Sequence, residues 1–313
     1  MISRYRKYVN PKVSIIILHL NNISCLLECI SSLNKINYPN FDIFVVHNGP
    51  KCNALPEALA QLSQHIIEII DTGDNIGFSG GNNVGIRQAL EKEADYVLLL
   101  NDDTEVDKDF LSILVEIAEM REYAAMFGPR IFFFDHLDRI WFDGAIFDPE
   151  TCMLTTPGSD RLEDGMDSEP MESDYITGCA LLINRRAVER IGLLDERFFL
   201  YWEDVDWGLR SKKAGFMNVV IPAAHIWHKV SVSSGGMDSL IRAYHKTRSH
   251  LLMARLHAPN ALPKLHVQYL RDIAWLLIKS QDQNCLKKAR AFIIAIRDYY
   301  IGKTDKGPDW LWK

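Results

Sequence analysis

The chain has 313 residues, 48% hydrophobic and 24% charged, with a formal net charge of −6. Such a chain can bury a full core with a second small subdomain, which excludes a disordered protein, and its negative balance excludes general attraction to nucleic acid. The basic N-terminus MISRYRKYVNPK lacks the apolar stretch of a secretory signal, no run approaches a bilayer span, and Cys25, Cys29, Cys52, Cys152, Cys179 and Cys285 form no CxxC pair, so buried free thiols in the cytoplasm are expected.

Val13 to His19, VSIIILH, is a β-branched run of strand length, and Ile23, Leu26, Leu27, Ile30 and Leu33 then repeat at helical spacing. After the Tyr38-Pro39-Asn40 turn, Phe41 to His47 reads as a second buried strand stopped by Asn48-Gly49-Pro50. Ala54 to His65 is the next helix and Ile66 to Ile70 the third strand. The order βαβαβ predicts a doubly wound sheet with right-handed crossovers. Asp71 to Asn83, DTGDNIGFSGGNN, reads as a polar, glycine-rich turn ahead of a helix running to about Lys92. Its glycines suit close approach of a ligand, and the helix start offers N–H groups to an anion, but an ordinary surface loop would look the same. Gly77, Gly80 and Gly81 do not make a GxGxxG fingerprint.

Tyr96 to Leu100 is a buried parallel strand by pattern, ending at Asn101-Asp102-Asp103 on the carboxyl edge where open α/β sheets place ligands. Adjacent carboxylates repel, so a divalent cation bridging to an anionic ligand is one reading, with Mg²⁺ or Mn²⁺ suited to hard oxygen donors. A solvated turn capping a helix from near Asp107 is the other. From Ala124 to Phe147 short strands and turns are expected, including Gly128-Pro129-Arg130, Phe132 to Phe134 and Trp141 to Gly144. Asp148 to Ser173 is an acidic loop able to change shape over a site. Tyr175 to Ile183 is a strand interrupted by Thr177-Gly178-Cys179, where a glycine marks close approach of ligand or backbone.

Phe198 to Arg210, FFLYWEDVDWGLR, gathers Glu203, Asp204 and Asp206 among aromatics at a helix start, where carboxylates also serve as caps. Glu203 and Asp204 point about 100° apart on a helix, so they take separate roles. Phe216 to Ile221 is a strand followed by Pro222 and His225-Ile226-Trp227-His228, whose histidines are structural or ligating. Ser231, Ser233, Ser234, Gly235 and Gly236 form a polar loop that closes on phosphate or merely links. Beyond Met237 the chain reads as helical, with Tyr244, Lys246 and Arg248 toward the site, apolar Leu265, Leu270, Ile273, Ala274 and Leu277, and basic Lys264, Arg271, Lys279, Lys287, Lys288 and Arg290. That region packs on the catalytic domain, pairs subunits into a homo-oligomer, or lies on a membrane surface near a lipid-linked acceptor.

The pieces VSIIILHLNN, DNIGFSGGNNVGI, LLLNDDT, GPRIFFF with IWFDGAIFD, ITGCALLINRRAVERIGLLDERFFLYWEDVDWGLR and PAAHIWHKVSVSSGG stand in collinear order over roughly Val13 to Ser234. In them the sequence resembles the family 2 glycosyltransferases of the GT-A fold, particularly the bacterial rhamnosyltransferase-like branch. The resemblance implies an α/β GT-A domain at 1–236, Rossmann-like with a mostly parallel sheet and flanking helices, followed by a C-terminal helical region at 237–313. It implies a nucleotide-sugar site at His19, Asn21, His47, Asn48, Asn75, Gly77, Gly80, Gly81, Asn82, Asn101, Asp102 and Gly178. By the same resemblance Asp103 and His228 hold Mn²⁺ or Mg²⁺, and Asp204 is the catalytic base of an inverting single displacement. Trp141, Glu203, Trp202, Ser233, Ser234 and Arg248 are acceptor-side or loop residues. Asn101 stands where the metal motif begins with an acid, and His47 where the family usually has a base-reading Asp. The donor is then a nucleoside-diphosphate sugar, dTDP-rhamnose first and UDP-sugars behind it, and the acceptor a cell-surface polysaccharide or lipid-linked saccharide. A nucleotidyltransferase and a non-catalytic nucleotide-sugar-binding scaffold are the rival readings, separated by released products and by turnover.

Overall fold

The computed structural model describes residues 10–62, 67–163, 165, 169–230, 239–278 and 283–312. Its first half alternates strand and helix: β1 (Val13–His19), α1 (Ile23–Leu33), β2 (Phe41–His47), α2 (Leu55–Leu62), β3 (Ile67–Asp71), α3 (Gly77–Glu91) and β4 (Tyr96–Asn101). A short β5 (Thr104–Val106) and α4 (Phe110–Met120) lead to β6 (Ala124–Phe133), β7 (His136–Phe142), β8 (Ile146–Asp148), β9 (Met153–Thr155), β10 (Met171–Ser173) and β11 (Ala180–Asn184). Then come α5 (Arg185–Ile191), α6 (Glu203–Lys213), β12 (Met217–His228), α7 (Leu240–His257), α8 (Leu262–Ile278) and α9 (Gln283–Tyr300). The ends expected for the second helix and third strand, Ala54 to His65 and Ile66, fall partly outside the described residues.

Among those residues the main sheet runs β10-β12-β6-β11-β4-β1-β2-β3, with β5 on β12 and β7 on β6. The half built from β4, β1, β2 and β3 is parallel throughout, whereas β11 enters antiparallel to both β4 and β6. Continuous apolar runs are what a strand covered on both faces requires, and Val13, Ile15, Ile16, Ile17, Val45, Val46, Val97 and Leu98 are all fully enclosed. Parallel register sets His19 beside His47, His47 beside Asp71, and Leu18 beside Asn101. All four strands therefore end at one edge.

Two segments differ from the pattern reading. Gly128-Pro129-Arg130 is not a turn but the middle of ten-residue β6. Proline lacks an N–H for a ladder, and Pro129 sits where β6 changes neighbours, after the pairing of Phe127 with Leu182 and before that of Ile131 with Phe142. Likewise Pro222 does not end a strand: β12 continues to His228 through a register shift between Ile221 and His225, a bulge that absorbs the proline.

The core of the described residues runs across the boundary expected at 236/237. Leu251, Met253, Ala254, Ala258, Ala261 and Leu265, from α7 to α8, lie in the same apolar cluster as β1, β4 and β6. Tyr244, Ala291, Ala295 and Leu311 form a second, smaller cluster between α7, α9 and the C-terminus.

Candidate active site

Strand β4 delivers Asp102 and Asp103 to the sheet edge, where each carboxylate meets its own histidine. His19, at the end of β1, has Nδ1 2.7 Å from Asp102 Oδ2, and both side chains are buried. Burial pushes the Asp102 carboxyl up, opposed by the hydrogen bond to His19. On the other side β12 pairs with β5 so that His228 stands opposite Thr104, and Lys229 N–H donates to the Asp103 carbonyl at 2.9 Å. That pairing brings His228 Nε2 to 3.1 Å from Asp103 Oδ1. The Trp141 ring packs edge-on against His228, centroids 4.5 Å apart. Each acid thus faces its own histidine, and the Asp103 charge still adds to the upward push on Asp102.

The Asp103–His228 pair is close without being a hydrogen bond: Asp103 Oδ1 and His228 Nδ1 are buried and have no hydrogen-bond partner. A buried carboxylate oxygen left without a partner is costly, and a divalent cation between it and the facing His228 Nε2 would satisfy that oxygen. Among the described residues no group of three or more His, Cys, Asp or Glu side chains could hold a metal. Two protein donors suit an ion that completes its sphere with phosphate oxygens and water, as Mg²⁺ commonly does. The residues present fit such an ion.

Asp204 reaches the same edge from the first turn of α6. Its Oδ2 accepts from Gly178 N–H at 3.0 Å and its Oδ1 from Val205 N–H at 2.8 Å, while Asn101 N–H donates to the Cys179 carbonyl at 2.9 Å. Residues 178 and 179 thus bridge the end of β4 and the start of α6. Cys179 registers the convergence: burial raises its thiol well above the ordinary value, and the charges of Asp103 and Asp204 add to that effect. Burial also pushes the Asp204 carboxyl up, with the backbone N–H groups of Gly178 and Val205 opposing. Glu203 behaves differently from its neighbour. It is 5% exposed, its Oε2 has no partner, and burial followed by the Asp204 charge raises its pKa well above the usual range. Glu203 is the more enclosed of the two, and half-buried Asp204 is the one open to a ligand.

Entry to α6 is strained. Tyr201 and Trp202 take φ of 67° and 74°, successive left-handed conformations in residues with side chains, each costing about 1–3 kcal/mol. Helix α7 braces this turn. His245 stacks on Phe199 (5.0 Å, 15°), Ser249 Oγ donates to the Leu200 carbonyl at 3.0 Å, and His250 stacks on Trp202 (4.5 Å, 6°). His250 Nε2 lies 2.8 Å from the Cys152 carbonyl and Nδ1 2.8 Å from the Tyr269 hydroxyl. A carbonyl only accepts, so the proton is on Nε2 and Nδ1 accepts from Tyr269. Burial lowers the His250 pKa, in keeping with a neutral ring.

The glycine-rich stretch is not the open turn expected. Gly77, Gly80, Gly81 and Asn82 lie inside α3, and its first two N–H groups are taken, that of Gly77 by Asn75 Oδ1 at 3.0 Å and that of Phe78 by the Phe199 carbonyl at 2.7 Å, instead of waiting for an anion. Glycine is needed for packing here. A Cβ at Gly81 would lie 2.3 Å from Leu18 Cδ1, and one at Gly85 2.5 Å from Ile16 Cγ2. Asn48 is spent on the same scaffold, donating to the Gly77 carbonyl at 3.0 Å and to Asn75 Oδ1 at 3.3 Å while accepting from Ile76 N–H at 3.0 Å. Asn82 bonds back to the Phe78 carbonyl. His47 donates to the Pro50 carbonyl at 2.8 Å and leans on the His19 ring, centroids 5.7 Å apart. Asn21 is exposed, and it is Asn22 that caps α1.

Arg248 is not a loop residue over the site. Buried in α7, it donates to the Tyr244 hydroxyl at 3.0 Å and the Asp305 carbonyl at 2.8 Å, because a buried guanidinium must find acceptors and the C-terminal segment supplies them. Ser233 and Ser234 lie outside the described residues. Sequence reasoning missed Asn83, whose side chain ties α3 to Leu194 and Glu196, and Ser79, which donates to the Phe198 carbonyl. It also missed buried Arg130, held bidentate by Asp143 (3.1 and 2.8 Å) and paired with Glu163. Polar side chains inside a helix or strand were the available signal.

With this geometry in hand, comparison with known proteins decides the family. The model "Glycosyl transferase family 2" matches residues 14–192. The chain belongs to glycosyl transferase family 2. It is a glycosyltransferase of the rhamnosyltransferase-like kind, and its similarities support that placement. It is 25% identical over 92% of its length to the dTDP-rhamnosyl transferase RfbF of Shigella flexneri, covering 94% of that protein. To the N-acetylglucosaminyl-diphospho-decaprenol L-rhamnosyltransferase of Mycobacterium tuberculosis it is 26% identical over 73% of this chain and 80% of the relative. Solved structures show the GT-A fold. A mannosyltransferase from Pyrobaculum calidifontis, in complex with GDP-Man and Mn²⁺, superposes with TM-score 0.56 at 14% identity over 94% of this chain and 88% of its own. GalNAc-T7 with UDP, GalNAc and Mn²⁺ superposes with TM-score 0.63 at 16% identity, over 93% of this chain and 57% of its own.

Proposed function

We propose that this glycosyltransferase moves L-rhamnose from dTDP-rhamnose to a hydroxyl of a cell-surface polysaccharide or lipid-linked saccharide, with inversion at the anomeric carbon. The observation that carries the reading is the meeting of Asp204, Asp103 and His228 at one sheet edge through the bridge of residues 178 and 179. Asp204 takes the proton of the acceptor hydroxyl as that oxygen attacks the anomeric carbon, and the bond from that carbon to the diphosphate breaks with its electron pair on the leaving nucleoside diphosphate. Asp204 is suited to this because burial raises its proton affinity while two backbone N–H groups fix both its oxygens. Asp103 and His228 would hold Mn²⁺ or Mg²⁺, which when bound neutralises charge on the diphosphate. Trp141 and Trp202, beside His228 and Asp204, are proposed to line the acceptor side.

The rhamnosyl donor is supported by the two rhamnosyl-transferring relatives; UDP-sugars are the next to test. Of the remaining nucleotide-site residues, His19, His47, Asn101 and Asp102 keep that proposed role through their place at the strand ends. A cytoplasmic location is supported by six cysteines that are all free. The test is transfer from dTDP-rhamnose, UDP-galactose, UDP-glucose and UDP-N-acetylglucosamine to a lipid-diphosphate-linked saccharide, with the product anomer assigned by NMR. The expectation is turnover with dTDP-rhamnose, an inverted product, and at least a hundredfold loss in Asp204→Asn. Full transfer by Asp204→Asn would remove it as the base, and nucleotide binding without turnover on any acceptor would favour a scaffold.

A further inference from the structure

Helix α8 is apolar on two opposite sides. At about 100° per residue, Leu265, Tyr269, Ile273 and Leu276 share one side, packed into the core or against α9. Val267, Leu270, Leu277 and Ile278 share the other, 49%, 62%, 46% and 84% exposed, with exposed Ala274 at its centre and Trp275, 55% exposed, along its flank. A helix on the surface of a globular domain ordinarily carries polar residues there. Lys264 and Arg271 are exposed on the Trp275 flank, while the one carboxylate of α8, Asp272, lies about opposite the stripe.

Charge selects the occupant. Residues 237–313 hold 14 Lys and Arg against 6 Asp and Glu, a net +8, whereas residues 1–236 hold 21 against 35, a net −14. Two copies paired through this face about a twofold axis would set two net-positive segments together. A negatively charged lipid surface instead complements the basic flank and accepts the apolar stripe. No described helix is long and apolar enough to cross a membrane, which leaves seating in the interfacial plane. We propose that the outer face of α8 docks the protein on an anionic lipid surface. The same helix carries Tyr269, which holds His250 against Trp202, so a seated α8 lies two contacts from the turn that presents Asp204.

The experiment is cosedimentation of the full chain with phosphatidylcholine vesicles, with and without 30% phosphatidylglycerol, beside sedimentation velocity of the free protein. Vesicle binding is read without turnover, so it fails or succeeds independently of the proposed chemistry. The expected result is at least tenfold tighter binding to anionic than to neutral vesicles. Leu270→Gln combined with Ile278→Gln should weaken it at least tenfold, and Lys264→Gln with Arg271→Gln several-fold, while transfer to a water-soluble acceptor stays unchanged in both. Equal binding of the Leu270/Ile278 variant and the parent would overturn the proposal, as would equal binding to neutral vesicles. So would absence of vesicle binding, whether the protein is monomeric or forms a dimer that the same substitutions abolish; the dimer would assign the face to a second copy.

Discussion

His250→Ala should lower turnover without lowering donor affinity. The substitution removes a parallel stack on Trp202 and two hydrogen bonds, one of which leaves the Cys152 carbonyl unpaired. An aromatic contact contributes about 0.5–1.5 kcal/mol and each hydrogen bond about 0.5–1.5 kcal/mol, so the brace is worth about 1.5–4.5 kcal/mol in sum. Opposing it, the left-handed Tyr201 and Trp202 store about 2–6 kcal/mol together. The two are comparable, so loss of His250 lets the turn relax and Asp204, two residues on, moves with it. A displacement near 1 Å at a reacting group costs about a hundredfold in rate. The assay is steady-state transfer with the donor varied, alongside the rise in melting temperature on adding donor nucleotide, which reads binding alone. The expected outcome is a fall in kcat of tens- to a hundredfold with donor KM and the nucleotide-induced shift unchanged; His250→Phe, which keeps a ring but neither hydrogen bond, should fall between. Wild-type kcat in His250→Ala, with stability lowered by the amount above, would refute the link between the brace and the base.

Asp103→Ala and His228→Ala should each abolish a metal-dependent nucleotide shift in melting temperature. In the parent protein nucleotide at a hundredfold its Kd with Mn²⁺ adds about 2.7 kcal/mol, and a shift surviving in both variants would move the metal elsewhere. Glu203 has a raised folded-state pKa, so the folded state binds the proton more tightly. Its contribution is present below the unfolded carboxylate pKa and is lost as pH rises through the folded value. Glu203→Gln should therefore flatten the decline in stability above about pH 4.5 in thermal melts across pH, and an unchanged slope would contradict the burial argument. Gly85→Ala should destabilise. The gain in helix propensity is about 1 kcal/mol, but the new Cβ would lie 2.5 Å from Cγ2 of fully buried Ile16, a stiff β-branched neighbour, and overpacking costs about 1–3 kcal/mol. Denaturant unfolding measures the sign.

The parallel half of the fold was readable because strands buried on both faces leave continuous β-branched runs, and because carboxylates at a strand end have few structural excuses. Asp102 and Asp103 stand out for that reason. What stayed hidden depends on partners far along the chain. Pro129 and Pro222 look like breakers until the neighbours of β6 and β12 are known. Asn48 looks like a ligand-binding amide until its contacts to Asn75, Ile76 and Gly77 are seen. Spacing says that Glu203 and Asp204 differ by about 100° around a helix, but not which one faces inward.

The glycines of α3 carry the same lesson toward function. A sequence of small residues before a helix is ambiguous between a cradle for phosphate and a helix that must lie close to a sheet, since both need backbone without a Cβ. The contacts decide it. Leu18 and Ile16 of β1 fill the space beside Gly81 and Gly85, and Asn75 and Phe199 take the first two N–H groups of the helix. Helix α3 is thereby locked to the segment 194–199 through Ser79, Asn83 and Phe78, and that segment runs directly into the strained turn before Asp204. The site then rests on two anchors, α3 on one side of residues 194–202 and α7 on the other, each fixing the turn by contacts to its backbone or rings. A strained turn fixed on both sides is preorganised, which places the cost of positioning the base in folding and not in the catalytic step.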